Sequence, residues 1–324
     1  MLKPFYFEPL LKQPLWGGEQ VSALKQLAAA PSRVGESWEI SGVPGDETLV
    51  VGGEDEGRTL TELITKYGAR LVGRANLERY GTTFPLLIKF ISAAQDLSIQ
   101  VHPDDAMAQR MKHPYGKTEM WYIVQAAPGA SLVSGFSHTS SAEEYVSSLA
   151  DGTLMNHLQR HQTQAGQCFF IPAGRIHSIG AGNFLVEIQQ SSNDTFRVYD
   201  FDRRDAEGNP RQLHVEQARE ALNYTDTDAA PVRYTPQRNA AVELVRCPQF
   251  ITRLYEVDKP LSTDCADIDS FIILICFAGE AQITDDAGNA FALHAGQSVL
   301  VPATARRLTF RPQGTFRALE TFIQ

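Results

Sequence analysis

The segment AGQCFFIPA, residues 165–173, recurs almost unchanged as AGQSVLVPA at residues 295–303. Each copy has a glycine turn, a short apolar stretch typical of a buried strand, and a Pro-Ala turn. The repetition predicts two copies of one β-barrel module. Residues 231–239 contain two prolines and few large apolar side chains, so they are the expected linker between residues 1–230 and residues 240–324.

Other apolar runs that end in turn residues predict further strands. Their number and spacing favour an antiparallel sandwich or barrel over a parallel sheet with crossover helices. Only a few segments have helical spacing, so the expected class is mainly β. The predicted strands include 85–90, 121–124, 168–171, 184–188, 271–277 and 298–301. The predicted helices are 59–72, a helix that opens with a capping-box pattern at 141–144 and runs towards His161, and 215–222.

The composition is that of a globular protein and argues against several functional classes. The 324 residues are 43% hydrophobic and 21% charged, which corresponds to roughly two folded domains. No apolar run reaches the roughly 18–20 residues of a membrane span, and the N-terminus MLKPFYFEPL lacks the apolar core of a signal peptide. The net charge of −9 argues against a general nucleic-acid binder. Four scattered cysteines without a CxxC motif suggest a reducing, cytoplasmic compartment.

A polar row is predicted in the segment SIQVH at 98–102. Alternate residues of a strand project from the same face, so Ser98, Gln100 and His102 share one face, while Ile99 and Val101 share the other. Unpaired polar groups are costly to bury. A bound ion would satisfy this row, and the alternative is a solvated strand face.

More candidate ligands follow along the chain. Lys117 and Glu119 share a face of the next predicted strand, and His177 stands at the fifth position after the proline of the first repeat copy. Two imidazoles, a carboxylate and an amide oxygen suit zinc or another divalent first-row metal. The residues that offer these groups are Gln100, His102, Glu119 and His177. In the second repeat copy Arg307 replaces His177, so we expect the metal site only in the first module. Taken alone, His177 could also be a histidine satisfied within a turn.

Residues 184–191 predict a strand with Glu187 on the face opposite its bulky apolar residues. A carboxylate on such a face suggests a cavity inside the module. Arg197 follows at the end of this segment, where a loop could direct it over the same cavity. The alternative for Arg197 is a surface ion pair with Asp200 or Asp202.

A set of motifs in the first 205 residues resembles the type I phosphomannose isomerases, in particular their short bacterial branch. The motifs occur in the family's order and at consistent spacing. They are LWGG at 15–18, GESWEISG at 35–42, SIQVHPDD at 98–105, GKTEMW at 116–121, PAGRIHSI at 172–179 and EIQQSSNDTFRVYDFDR at 187–203.

The resemblance implies two cupin-type (jelly-roll) β-barrels, a catalytic one in residues 1–230 with added helices and a structural one in residues 240–324. It implies a cytoplasmic, metal-dependent isomerase, monomeric or a small homo-oligomer, that interconverts mannose 6-phosphate and fructose 6-phosphate through an enediol. No nucleic-acid or membrane partner is expected. The implied ligands of one Zn²⁺ per chain are Gln100, His102, Glu119 and His177. The implied catalytic residues are Arg197, Lys117 and Glu187, with Glu187 the preferred base, and the implied substrate-binding residues are Ser98 and Lys89.

One departure from the family and two rival functions stay open. Some members carry a histidine that helps to open the sugar ring, and Gly116 stands at that position here. A cupin dioxygenase would hold iron with three histidines and a glutamate, and Gln100 takes the place of one histidine. A non-catalytic sugar-binding cupin would not need Glu119, Lys117 and Arg197 together.

Overall fold

The computed structural model describes residues 2–27, 33–205 and 207–324. Strands dominate these residues, and every pairing between two of the strands named below is antiparallel. The strands are β1 Tyr6–Glu8, β2 Leu10–Lys12, β3 Glu36–Val43, β4 Asp46–Glu47, β5 Leu49–Val51, β6 Leu86–Ser92, β7 Ile99–Val101, β8 Glu119–Ala126, β9 Ser131–Phe136, β10 Leu158–Gln162, β11 Cys168–Ile171, β12 His177–Ile179, β13 Asn183–Gln190, β14 Phe196–Tyr199, β15 Ala241–Arg246, β16 Ile251–Val257, β17 Leu261–Asp264, β18 Ile272–Ala278, β19 Glu280–Asp285, β20 Ala290–His294, β21 Ser298–Val301, β22 Arg307–Pro312 and β23 Phe316–Phe322. The helices are α1 Gln20–Leu24, α2 Leu60–Tyr67, α3 Ala69–Val72, α4 Arg74–Tyr80, α5 Asp105–Arg110, α6 Ala142–Ala150 and α7 Val215–Ala221, with a 3₁₀ helix at Leu154–His157.

The two halves of the chain use the same strand order. In the first half, one sheet runs β11-β8-β13-β6-β3-β2 with β4 added to β3, and the other runs β10-β9-β12-β7-β14. In the second half, the sheets run β15-β16-β23-β18-β21 and β17-β22-β19-β20. Thus β11-β8-β13-β6 corresponds to β21-β18-β23-β16, and β10-β9-β12-β7 corresponds to β20-β19-β22-β17.

The repeated segment supplies two corresponding edge strands. Its copies form β11 and β21, with the bounds predicted from the sequence. Gly166 and Gly296 precede them with φ angles of +89° and +86°, which only glycine adopts at little cost. The mainly-β class is therefore confirmed, and the other predicted strands are confirmed with shifts of a few residues at their ends.

Two of the three helix predictions need correction. The segment 59–72 is two helices, α2 and α3, because Gly68 has a φ of +52° and ends the first one. The second predicted helix starts as expected, with the Ser141 hydroxyl accepting from the Glu144 backbone N–H, but it ends at Ala150 rather than continuing towards His161. Gly152, with a φ of +68°, turns the chain into the 3₁₀ helix and then β10. Helix α7 is confirmed, and α1, α4 and α5 were not predicted.

The largest apolar cluster joins the two halves. Ile88 and Val186 from the first half belong to it together with Ile273 and Leu319 from the second, and all four are fully buried. Ile88 and Val186 lie on one face of the sheet that contains β6, β8 and β13, and Ile273 and Leu319 come from β18 and β23 of the second half. The opposite face of that sheet is therefore free to carry polar side chains towards β7 and β12.

None of the helices in the described part of the chain combines the length and the apolar composition that crossing a membrane requires. All four cysteines are free thiols: Cys168, Cys247, Cys265 and Cys276.

Candidate active site

Two buried histidine rings face each other between the sheets of the first half. His102 follows β7 and His177 opens β12, and both side chains are 1% exposed. Each ring donates its Nδ1–H to a backbone carbonyl at 2.8 Å, of Asp194 for His102 and of Arg175 for His177. Burial lowers the pKa of His102 well below its usual value and that of His177 to about 4, so both rings are neutral. Their Nε2 lone pairs consequently face one another at 3.1 Å.

The Glu119 carboxylate faces the same point. It opens β8, is fully buried, and has no hydrogen-bond partner on either oxygen. Its Oε2 lies 3.4 Å from His102 Nε2, and its Oε1 lies 3.4 Å from His177 Nε2. Burial, followed by the charge of Glu187, raises the pKa of Glu119 to about 8, so its ionised form needs a cation beside it. These three side chains can therefore hold a divalent metal ion.

Gln100, the fourth ligand predicted from the sequence, lies beside these three side chains. It lies in β7 directly opposite His177, and its Nε2 is 3.3 Å from His177 Nε2. A half-turn of the amide exchanges its oxygen and nitrogen, which would bring the oxygen to the same point. Ser98, on the same strand face, donates to the Gln100 Oε1 at 3.2 Å. The predicted polar row of Ser98, Gln100 and His102 is confirmed, and Ile99 and Val101 are buried in an apolar cluster.

A second buried charged group lies on β6 and β13. Lys89 and Glu187 are register partners on these strands, and Lys89 Nζ is 3.1 Å from Glu187 Oε1 and 3.5 Å from Glu36 Oε2. Trp121 donates its Nε1–H to Glu187 Oε2 at 2.9 Å. Burial by itself would raise the pKa of Glu187, but the charges of Lys89 and Lys117 and these hydrogen bonds outweigh it and lower the pKa. Glu187 is therefore ionised at neutral pH.

Lys117 connects the two groups. Its side chain is 5% exposed, and its Nζ lies 3.2 Å from His102 Nε2 and 3.6 Å from Glu119 Oε2. Lys117 precedes β8, which begins at Glu119, so the predicted strand starts later than expected, but the two side chains approach each other as predicted.

The position before Lys117 is closed to any side chain. A Cβ added at Gly116 would lie 2.5 Å from the Asp104 carbonyl carbon and 2.6 Å from the Asp105 nitrogen. The Gly116 N–H also donates to Asp105 Oδ1 at 2.9 Å. A histidine cannot stand here without moving the backbone.

A cavity of about 330 Å³ adjoins these groups, and most of its lining is polar or charged. Six residues predicted from the sequence line it: Lys89, Ser98, Gln100, Lys117, Glu187 and Arg197. The structure adds Trp16, Glu36 and Arg211 among the other lining residues. Trp16 and Glu36 lie inside motifs singled out above, whereas no sequence signal pointed to Arg211, which lies in the irregular segment between β14 and α7.

Two arginines that are less buried than Lys89, Lys117 and Glu187 also line the cavity. Arg197, in β14 opposite Gln100, donates from Nη1 to the Gln212 carbonyl at 2.8 Å, and its Nε is buried without a partner. Arg211 donates from Nε to Asp200 Oδ2 at 2.7 Å, and its side chain is 25% exposed. Burial and the nearby charge of Arg211 lower the pKa of Arg197. Such a pair of cations favours an anion in the cavity.

The alternative interpretation of Arg197 as a surface partner of Asp200 or Asp202 does not fit these contacts. Asp200 binds Arg203 and Arg211 instead. Among the described residues, Arg197 forms no ion pair with either aspartate.

The second half keeps one polar pair of this arrangement but not the ligands. Arg253 and Glu320 are register partners on β16 and β23, the strands that correspond to those of Lys89 and Glu187, and their charged groups lie 3.4 Å apart. Arg307 opens β22 as His177 opens β12, but its side chain is exposed. In residues 240–324, all of which are described, no three His, Cys, Asp or Glu side chains bring their ligand atoms together.

Comparisons with known proteins show which family this chain resembles. A family model described as phosphomannose isomerase type I, catalytic domain, matches residues 5–127. A mannose-6-phosphate isomerase of Streptococcus mutans is 32% identical over 96% of this chain and 96% of its own, and a probable mannose-6-phosphate isomerase of Bacillus subtilis is 35% identical over 73% of each chain. The crystal structure of the mannose 6-phosphate isomerase from Bacillus subtilis superposes with a TM-score of 0.87 at 27% identity and covers 99% of both chains. With the sequence similarity extending along nearly the whole chain, this protein belongs to the type I phosphomannose isomerase family.

Proposed function

We propose that this chain interconverts mannose 6-phosphate and fructose 6-phosphate by moving one proton between C2 and C1 and a second proton between O2 and O1 of the open-chain sugar. The observation that carries the proposal is the pair of facing imidazole Nε2 atoms beside the unpartnered Glu119 carboxylate. The adjoining cavity contains an ionised Glu187 and several cationic side chains. Relatives named mannose-6-phosphate isomerase support the same reaction.

We propose Zn²⁺ as the metal, one per chain in this site, with Gln100, His102, Glu119 and His177 as its ligands. Two imidazoles, a carboxylate and an amide oxygen form a borderline-hard set that suits Zn²⁺ and leaves a position for the substrate. When bound, the ion would supply Lewis-acid stabilisation of the negative charge that develops on O1 and O2. The backbone carbonyls that accept from both Nδ1 atoms hold the rings in the ligating tautomer.

Glu187 is the proposed base that removes the proton from C2 and returns it to C1. A base must be ionised and must reach the substrate carbon. Glu187 meets the first condition because its pKa is lowered, and it lines the cavity. Trp121 donates a hydrogen bond to one of its oxygens, and Lys89 forms an ion pair with the other. These contacts orient the carboxylate and keep it charged in a buried site.

Lys117 and Arg197 are the proposed cations for the enediol oxygens. Both line the cavity, and both lie beside proposed ligands, Lys117 next to His102 and Arg197 opposite Gln100. Preorganised donors at a developing negative charge are worth about 10²–10³ in rate each. Ser98 and Lys89 are proposed to contact the substrate along the same wall.

Arg211 is proposed to bind the phosphate group. The reacting carbons must lie at the buried end of the cavity with the metal ligands, so the phosphate on C6 points to the more exposed end. Arg211 is one of the less buried lining residues, and Asp200 holds its guanidinium by two hydrogen bonds. Charged hydrogen bonds from arginine suit a phosphate dianion.

We propose that residues 1–230 form the catalytic cupin and residues 240–324 a structural one. The repeated strand order supports this division, and so does the apolar interior of the second half, where Tyr255, Phe310 and Phe316 pack together. The four free thiols support a reducing, cytoplasmic location.

The test is a metal-dependent assay of fructose 6-phosphate formation from several aldose phosphates. We expect turnover with mannose 6-phosphate that chelation abolishes and Zn²⁺ restores. Measurable oxygen uptake would favour a cupin dioxygenase instead. Binding of the sugar phosphate without any turnover would favour a non-catalytic sugar-binding cupin.

A further inference from the structure

A second group of potential metal ligands lies outside the cavity. His138 follows β9, Glu144 lies in the first turn of α6, and His157 ends the 3₁₀ helix. His138 Nε2 is 3.0 Å from Glu144 Oε1, and His157 Nδ1 is 3.2 Å from the same oxygen. The three potential ligand atoms all lie within 4.8 Å of one another. We call these three residues the peripheral triad.

Neighbouring hydroxyl groups contact the peripheral triad. The Ser137 hydroxyl lies 3.1 Å from the His157 carbonyl and 3.2 Å from His138 Nδ1. His138 Nε2 faces the Glu144 carboxylate, and the tautomer with its hydrogen on Nδ1 turns the Nε2 lone pair towards a shared ion. Ser140 donates to the other Glu144 oxygen at 2.9 Å, which orients the carboxylate.

The unpartnered atom of the peripheral triad is His157 Nδ1. A hydrogen bond between His138 Nε2 and Glu144 Oε1, which lie 3.0 Å apart, would satisfy that pair alone. It would leave His157 Nδ1, which is buried and has no hydrogen bond of acceptable geometry, without a partner. A metal ion between the three side chains would satisfy all of them.

We propose that the peripheral triad binds a second divalent cation of the zinc class, separate from the active site. Two imidazoles and one carboxylate with an open fourth position are a ligand set that Zn²⁺ accepts, and water can fill that position because the side chains are 24–46% exposed. The ion would join the turn after β9, the start of α6 and the 3₁₀ helix. Its effect is on stability, because anything that binds only the folded state stabilises it.

This site is tested in the His177→Ala variant, in which the active-site ligand set is broken. We expect equilibrium dialysis with Zn²⁺, followed by metal analysis, to find one bound ion per chain, and Zn²⁺ to raise the melting temperature. Adding Glu144→Gln should remove both effects. Adding Glu143→Gln, which neutralises an exposed carboxylate in the same helical turn, should preserve both.

Three results would overturn the proposal. The first is that the His177→Ala variant binds no Zn²⁺. The second is that the ion stays bound after Glu144→Gln is added. The third is that Glu143→Gln and Glu144→Gln reduce Zn²⁺ binding equally. In the otherwise unchanged chain, Glu144→Gln should lower the zinc content from two ions to one and leave kcat and KM unchanged. A loss of turnover in that variant would also contradict the proposal that the peripheral triad is separate from the active site.

Discussion

Replacing Arg211 by Gln should weaken the binding of every sugar phosphate while the chemical step keeps its rate. Asp200 accepts from Nε and from one hydrogen of Nη2 of Arg211, so Nη1 and the second Nη2 hydrogen are left for the phosphate. One charged hydrogen bond is worth about 1.5–3 kcal/mol, and each 1.4 kcal/mol is about tenfold in affinity. Because the Arg211 side chain is 25% exposed, solvent screening favours the lower end. We therefore expect KM to rise roughly tenfold.

The expected kcat of the Arg211→Gln variant is close to that of the unmodified chain, because the phosphate contact is the same in the ground state and the transition state. The assay is the initial rate of fructose 6-phosphate formation over a range of mannose 6-phosphate. Inorganic phosphate serves as a competitive inhibitor that reports on the same contact, and its inhibition constant should rise in parallel with KM.

Arg203→Gln is the matched control. Arg203 also binds Asp200, with its Nη2 2.6 Å from Oδ1, but it does not line the cavity. An unchanged KM in Arg211→Gln would refute the phosphate assignment. An equal rise of KM in both variants would show that the loss of an ion pair with Asp200 disturbs the local structure, and that Arg211 does not contact the phosphate directly.

Four further changes test the site and its surroundings. His177→Ala should lose the active-site metal and its activity, whereas Arg307→Ala should keep its metal content. Loss of a metal ion in Arg307→Ala would contradict the proposal that the second half has only a structural role. Arg197→Ala should lower kcat strongly at normal metal content, and unchanged kinetics would remove it from the site. Hydrogen bonds from Arg211 and Arg203 outweigh the effect of burial and lower the pKa of Asp200. Its stabilising contribution is therefore full above its unfolded-state pKa of about 3.9 and is lost as the pH falls through the lower folded-state value. Asp200→Asn should lower the free energy of unfolding by about 1–3 kcal/mol at pH 7, and denaturant titrations should find this difference shrinking below about pH 4.

Local patterns were sufficient for the strands and for most of the site. The apolar runs of β11 and β21 and the glycines before them are signals within a few residues, so their bounds followed from the sequence. The candidate ligand residues were predictable in part for the same reason, since alternation along a strand sets which side chains share a face. The structure brings His102, Glu119 and His177 together as that alternation and the family motifs implied.

The second predicted helix shows where local signals fail. Ser141 starts α6 as its pattern predicts. Its end depends on Gly152 and on the pairing of β10 with β9, a contact between distant segments. Tertiary pairing overrode the helical spacing beyond Ala150, because a strand partner satisfies the backbone of the following residues as well as a helix would.

The remaining features depend on distances between segments that the amino-acid order does not express. Arg211 lines the cavity with its guanidinium held by Asp200. The peripheral triad combines residues from α6, the 3₁₀ helix and the turn after β9. The closure at Gly116 depends on how near the Asp104 backbone lies. Strand alternation and turn conformation depend on a few neighbouring residues, so they can be predicted from the sequence. The contacts at Arg211, the peripheral triad and Gly116 form only when packing brings distant segments together.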